Sequence, residues 1–84
     1  MSDFLNDVYR EVIRARQKFP SPEGLMAALT EEVGEVAKAV LDEPWPNVYG
    51  ECVQAAAMAL RLAEERDQTL SQVRARRGAD GLLG

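Results

Sequence analysis

Between positions 31 and 51 the chain sets six acids, Glu31, Glu32, Glu35, Asp42, Glu43 and Glu51, against a single Lys38. Three of them lie in the run Glu31-Glu32-Val33-Gly34-Glu35 and fall on one arc of about 100° when drawn as a helix. Carboxylates this close repel: a pair ~4 Å apart costs about 1 kcal/mol in water and several times that near a protein surface. A solvated acidic face is the simplest account of such a run, but Glu51 changes the weighing. On its own helix it shares a side with Val48, Ala55, Met58 and Leu62, which places an acid on a core-facing stripe. A buried carboxylate needs a cation or takes up a proton, and no lysine or arginine lies within a turn of Glu51 on that face. A divalent metal shared by Glu31, Glu32, Glu35 and Glu51 would resolve both oddities; a protonated or ion-paired core glutamate is the alternative. A donor set of oxygens alone, without histidine or thiolate, suits Mg²⁺, with Mn²⁺ as a substitute. Mg²⁺ takes much of its remaining coordination from substrate phosphates. A nucleotide or similar polyphosphate is therefore the implied substrate, attacked at phosphorus by an activated water.

Those residues need helices to hold them. Phe4, Leu5, Val8, Val12 and Ile13 form an apolar stripe at helical spacing, predicting a first helix from about Ser2 to Lys18 that Pro20 and Pro22 end. Ser21 as N-cap with Pro22 at the first helical position starts a second, running to about Asp42, where Pro44-Trp45-Pro46 stops it. Its apolar side is Leu25, Leu29, Val33, Val36 and Val40, flanked by Met26 and Ala37. Asn47 caps a third helix to about Arg66, and Asp67 or Thr69 a short fourth that Gly78 closes. The third helix is apolar nearly all round, with only a narrow strip of Ala57, Arg61, Glu64 and Glu65 expected to be wet. Two other helices can hardly cover it; a second copy can. The expected architecture is all-α: a bundle of three main helices plus a short C-terminal helix, completed as a four-helix core by oligomerisation. Residues 1–77 form one domain and 78–84 a flexible tail.

Composition narrows the field. The 84 residues include one cysteine and no histidine, which excludes an internal disulfide, a Cys/His zinc site and a Ser-His or Cys-His nucleophile pair. A chain this short buries only roughly 60% of its unfolded surface, so self-association is the remaining common stabiliser. Fourteen acids against ten basic residues, net −4, argue against nucleic-acid binding. No apolar run approaches the ~20 residues needed to span a bilayer. The N-terminus has no basic, apolar leader, so a cytoplasmic location is expected.

The pattern Glu31-Glu32-Val33-Gly34-Glu35, followed on the next helix by Glu51-Cys52-Val53-Gln54, resembles the MazG-like all-α nucleotide pyrophosphohydrolases. Their signature is Glu-Glu-x-x-Glu and then Glu-x-x-Asp, and the resemblance covers roughly residues 10–66. It implies Mg²⁺-dependent cleavage of a nucleoside triphosphate to monophosphate and pyrophosphate, by a dimer or tetramer. Glu31, Glu32, Glu35, Glu51 and Gln54 would form the metal set, with Glu32 and Glu35 as the catalytic candidates. Gln54 departs from the family aspartate: its carbonyl can ligate Mg²⁺ but brings no charge and cannot act as a base. An oligomer that binds or sequesters nucleotide without cutting it is therefore the second reading. A helical interaction module with solvated glutamates is the third. Lys38, Trp45, Arg74 and Arg77 are candidate substrate contacts. Each has a plainer role: surface lysine, plug over the corner between the second and third helices, and, with Arg76, complements to a helix C-terminus. Cys52 reads as a small buried hydrophobe.

Overall fold

A computed structural model describes residues 3–78. Its helices are Asp3–Lys18 (α1), Leu25–Asp42 (α2), Trp45–Glu65 (α3) and Ser71–Arg76 (α4), with a 3-10 turn at Gln68–Leu70 ahead of α4. No strand occurs among the described residues, and no helix there is long and apolar enough to cross a membrane. The expected tail lies outside the described residues apart from Gly78, whose φ of +76° closes α4 as a residue without Cβ readily does.

Both α1 and α2 pack on α3, and their own backbones do not approach each other closely. The α1 side of this core is Val8, Val12, Val53 and Ala57, with Phe4 and Ala56 against it. Phe4 meets the Tyr49 ring edge-on at 5.6 Å between centroids, and the Tyr49 hydroxyl donates to Asp7 Oδ2 at 2.5 Å. That bond, before burial, pushes the phenol up to about 12. Leu5 and Ile13, expected on the buried stripe of α1, are each 46% exposed; α1 meets a single neighbour, which covers only the arc centred on Val8, Val12 and Ala15.

The strip expected to be wet is where the core is tightest. Ala57 is fully buried and Arg61 is 1% exposed. The Arg61 guanidinium donates to both oxygens of Glu65, Nε to Oε2 at 2.9 Å and Nη2 to Oε1 at 2.8 Å. Arg16 of α1 joins them, donating to Glu65 and Glu64. An alanine lets α1 come close here, and the arginine stem then fills the gap while its head stays paired. Reading Arg61 as polar, hence exposed, fails because its partner is one turn away.

The start of α2 also differs from expectation. Ser21 does not cap it: the N-cap is Gly24 at φ +68°, with no side-chain bond of its own, a backbone geometry glycine adopts without penalty. The cap comes from far along the chain. Asp67 Oδ2 accepts from the Met26 N–H at 2.8 Å, Thr69 Oγ1 accepts from the Gly24 N–H, and the Gln68 N–H donates to the Pro22 carbonyl. Asp67 also caps the 3-10 turn, taking the Thr69 N–H on Oδ1. At the other corner α3 begins at Trp45 with Pro44 as N-cap, three residues earlier than expected. Proline is well tolerated in a first turn, so Pro46 does not delay it; Asn47 instead donates to Glu43.

Candidate functional site

The antiparallel packing of α2 on α3 decides what the glutamates face. Leu25, Ala28, Leu29, Glu32, Val36 and Ala39 are the buried or half-buried residues of α2, and α3 is the helix they face. Glu31 and Glu35 then lie on one flank of that contact. On α3 the half-buried Glu51 and Gln54, one turn apart, come up along the same flank. The result is an open groove lined by Glu31, Glu32, Gly34, Glu35, Glu51 and Gln54. All five residues of the expected metal set are brought together in it.

Its lining contains no basic residue, because the nearby arginines are committed elsewhere. Arg14 holds Glu11 through both carboxylate oxygens, at 2.9 and 2.6 Å, and Arg61 and Arg16 hold Glu65. The groove charge therefore accumulates on Glu32, the least exposed of the α2 glutamates. Burial pushes its carboxyl above the ordinary glutamate value, and Glu51, Glu35, Glu31 and Glu11, in that order, push it further. Glu11 is a contributor that the sequence reading missed. Its signal is weak: one acid on α1, beside the buried stripe and already paired to Arg14.

The other candidates stand apart. Lys38 is exposed and does not line the groove. Trp45 is 72% exposed at the head of α3, so it does not plug the α2–α3 corner. Arg74, Arg76 and Arg77 are exposed in and just after α4, away from the groove lining. Cys52 is half-buried. Among the described residues no three carboxylates or thiolates stand so as to hold one ion as placed; side chains of like charge at this spacing keep apart. As a donor set, four carboxylates and one amide carbonyl on facing helices fit a hard divalent cation such as Mg²⁺ or Mn²⁺.

This electrostatic arrangement carries a sign. A carboxyl whose folded pKa is raised binds its proton more tightly in the folded state, so its contribution falls as pH rises from the ordinary value through the raised one. At neutral pH Glu32 is thus a net cost. Glu32→Gln is expected to raise the stability of the metal-free protein at pH 7 by on the order of 1 kcal/mol, seen as a higher Tm. The same substitution should diminish any stabilisation by Mg²⁺. A fall in metal-free Tm with the Mg²⁺ response intact would make Glu32 a structural residue only.

No protein-family model, curated protein or solved structure matches the chain.

Proposed function

We propose that the protein is a Mg²⁺-dependent nucleoside triphosphate pyrophosphohydrolase, acting as a dimer or tetramer. The observation that carries the reading is the groove itself: four carboxylates and Gln54 from two facing helices, with no cation of the chain's own among them. Glu31, Glu32, Glu35 and Glu51 would hold the ion with Gln54 as a neutral ligand. Bound there, Mg²⁺ would offset the groove charge and draw the triphosphate to it. The chain's own chemistry falls to the glutamates. Glu32, the least exposed of the α2 glutamates, would accept a proton from water, and Glu35 would orient that water. Water adds at the α-phosphorus, the bond to the bridging oxygen breaks, and pyrophosphate leaves. Lys38, Trp45, Arg74 and Arg77 lie outside the groove lining, and the reading does not depend on them.

Pyrophosphate release from a panel of common and damaged nucleoside triphosphates, with Mg²⁺ and with Mn²⁺, tests this directly. Turnover of at least one substrate, lost in Glu35→Gln, is expected. Gln54 favours one other reading, a nucleotide binder without hydrolysis, because it supplies no charge where the resembling family has an acid. Gln54→Asp separates the two. In a weakened hydrolase it should lower the Mg²⁺ concentration needed for turnover, by tenfold if it gains the ion about 1.4 kcal/mol. In a binder the parent gives nucleotide-dependent stabilisation without pyrophosphate, and Gln54→Asp uncovers release that the parent lacks. Absence of both turnover and any metal- or nucleotide-induced shift in Tm, in either version, would reject the metal site.

A further inference from the structure

We propose that the corner between α3 and α4 is a two-state device: a strained bend, strapped to the start of α2, that straightens into one longer helix when the strap opens. The bend lies at Arg66, the C-cap of α3, at φ +66° and ψ −169°. Glycine alone adopts that region readily. Three of the described residues have positive φ; Gly24 and Gly78 are glycines, and Arg66 is the exception. Its side chain is exposed, and its N–H donates to the Leu62 carbonyl at 3.0 Å, so α3 closes in the ordinary way up to the bend. The sequence itself does not ask for a bend there. From Glu51 to Arg77 the chain contains neither glycine nor proline, the residues that end helices. Run on as a helix, the segment would need no positive φ at all.

What imposes the bend comes from the start of α2. Asp67 Oδ2 accepts from the Met26 N–H at 2.8 Å, the Gln68 N–H donates to the Pro22 carbonyl at 2.9 Å, and the Gly24 N–H donates to Thr69 Oγ1 at 3.0 Å. All three ties need the bent form. In a helix running on past Arg66, the Gln68 N–H would turn to the Glu64 carbonyl instead of Pro22. Beyond the ties, the backbone of α4 approaches the 3-10 turn and no other helix, and Leu70 and Val73 stay 38% and 40% exposed. Local preference and long-range ties thus favour different forms of one segment, which is what a bistable element requires. In the straight form Arg66 relaxes, Met26 loses its cap, and α4 leaves the start of α2. The packing of α1 and α2 on α3 is common to both forms. The switch therefore acts on the first turn of the helix that carries Glu31, Glu32 and Glu35, and it stands whether or not the groove binds a metal.

Amide exchange and backbone chemical shifts of the full chain test this in the wild type, Arg66→Gly, Arg66→Ala and Asp67→Ala. In the wild type the Gly24, Met26 and Gln68 amides are expected to exchange through a local opening. Their exchange should depend less on denaturant than that of Val53 and Ala57 in the core. Arg66→Gly removes the strain and weakens the straight helix, so it should slow those three amides about tenfold. Arg66→Ala keeps a Cβ and should leave them as in the wild type. Asp67→Ala cuts the strap, and residues 66–70 should then take helical Cα shifts. Random-coil shifts there would overturn the proposal, because loss of a cap alone leaves the segment frayed. So would tie amides that exchange only with global unfolding, or an Arg66→Gly variant no slower than Arg66→Ala. If Asp67→Ala does not fold, the two Arg66 variants still decide.

Discussion

Glu65→Ala is expected to cost about 3–5 kcal/mol, a large part of the stability of a domain this size. The severity comes from what the substitution leaves behind. Arg61 is 1% exposed, and after loss of Glu65 its remaining partner would be the Ala15 carbonyl at 3.5 Å, beyond good hydrogen-bond geometry. A buried guanidinium would then be stranded. The reverse substitution is milder. Arg61→Met removes the buried charge and keeps the stem, while Glu65 retains Arg16 at 2.6 Å; a cost of about 1–2 kcal/mol is expected. Urea denaturation of both variants checks the ordering, and Arg61→Met proving the worse would mean that packing, not the stranded charge, governs this site. The pair also leaves a mark in acid. Hydrogen bonding from Arg61 first, then from Arg16, holds the Glu65 carboxyl down to about 2 against burial, from an ordinary 4.5. Its contribution is present in full above the ordinary value and is lost as pH falls toward the lower one.

The second large effect is at Asp67. Asp67→Ala is expected to destabilise by about 2–3 kcal/mol, more than loss of an ordinary helix cap. One buried carboxylate serves two helix starts, taking the Met26 N–H of α2 and the Thr69 N–H of the 3-10 turn. These bonds, Met26 foremost, hold its pKa below the ordinary 3.8 while burial opposes them. The stabilisation is therefore present above that value and lost below it. Asp67→Asn, which keeps an acceptor oxygen, should recover part of the loss. Amide exchange localises the effect: Met26 should lose protection in Asp67→Ala before the middle of α3 does. Uniform loss across the chain, or none, would show that the carboxylate is not the cap of α2.

How far the sequence could be read follows from the range of each interaction. The three long helices were legible because proline placement and apolar periodicity are local signals, although the starts of α2 and α3 were not. The groove was legible because residues at i, i+1 and i+4 on one helix, and at i and i+3 on the next, have few ways to face each other across a short turn. The α2 cap was not, since Ser21 and Pro22 supply a plausible local start while the residue that caps is 41 positions on from Met26. Ala57 and Arg61 were misjudged for a related reason. A helix drawn alone shows which residues share a side, but not that α1, distant in sequence, lies against that one. Trp45 and Val33 failed in the opposite sense: apolar character predicted cover, and both are exposed.

That the backbones of α1 and α2 each approach α3 and not each other bears on the order in which the chain comes apart. The α2–α3 pair is joined through a two-residue corner, so forming it closes a short loop. α1 reaches its partners Tyr49 and Glu65 across 42 and 49 residues, and closing that longer span costs more chain entropy. Its release removes no contact from the α2–α3 pair. The molecule is thus a hairpin with a detachable clasp: α1 can peel away as a unit while the groove between α2 and α3 keeps its walls.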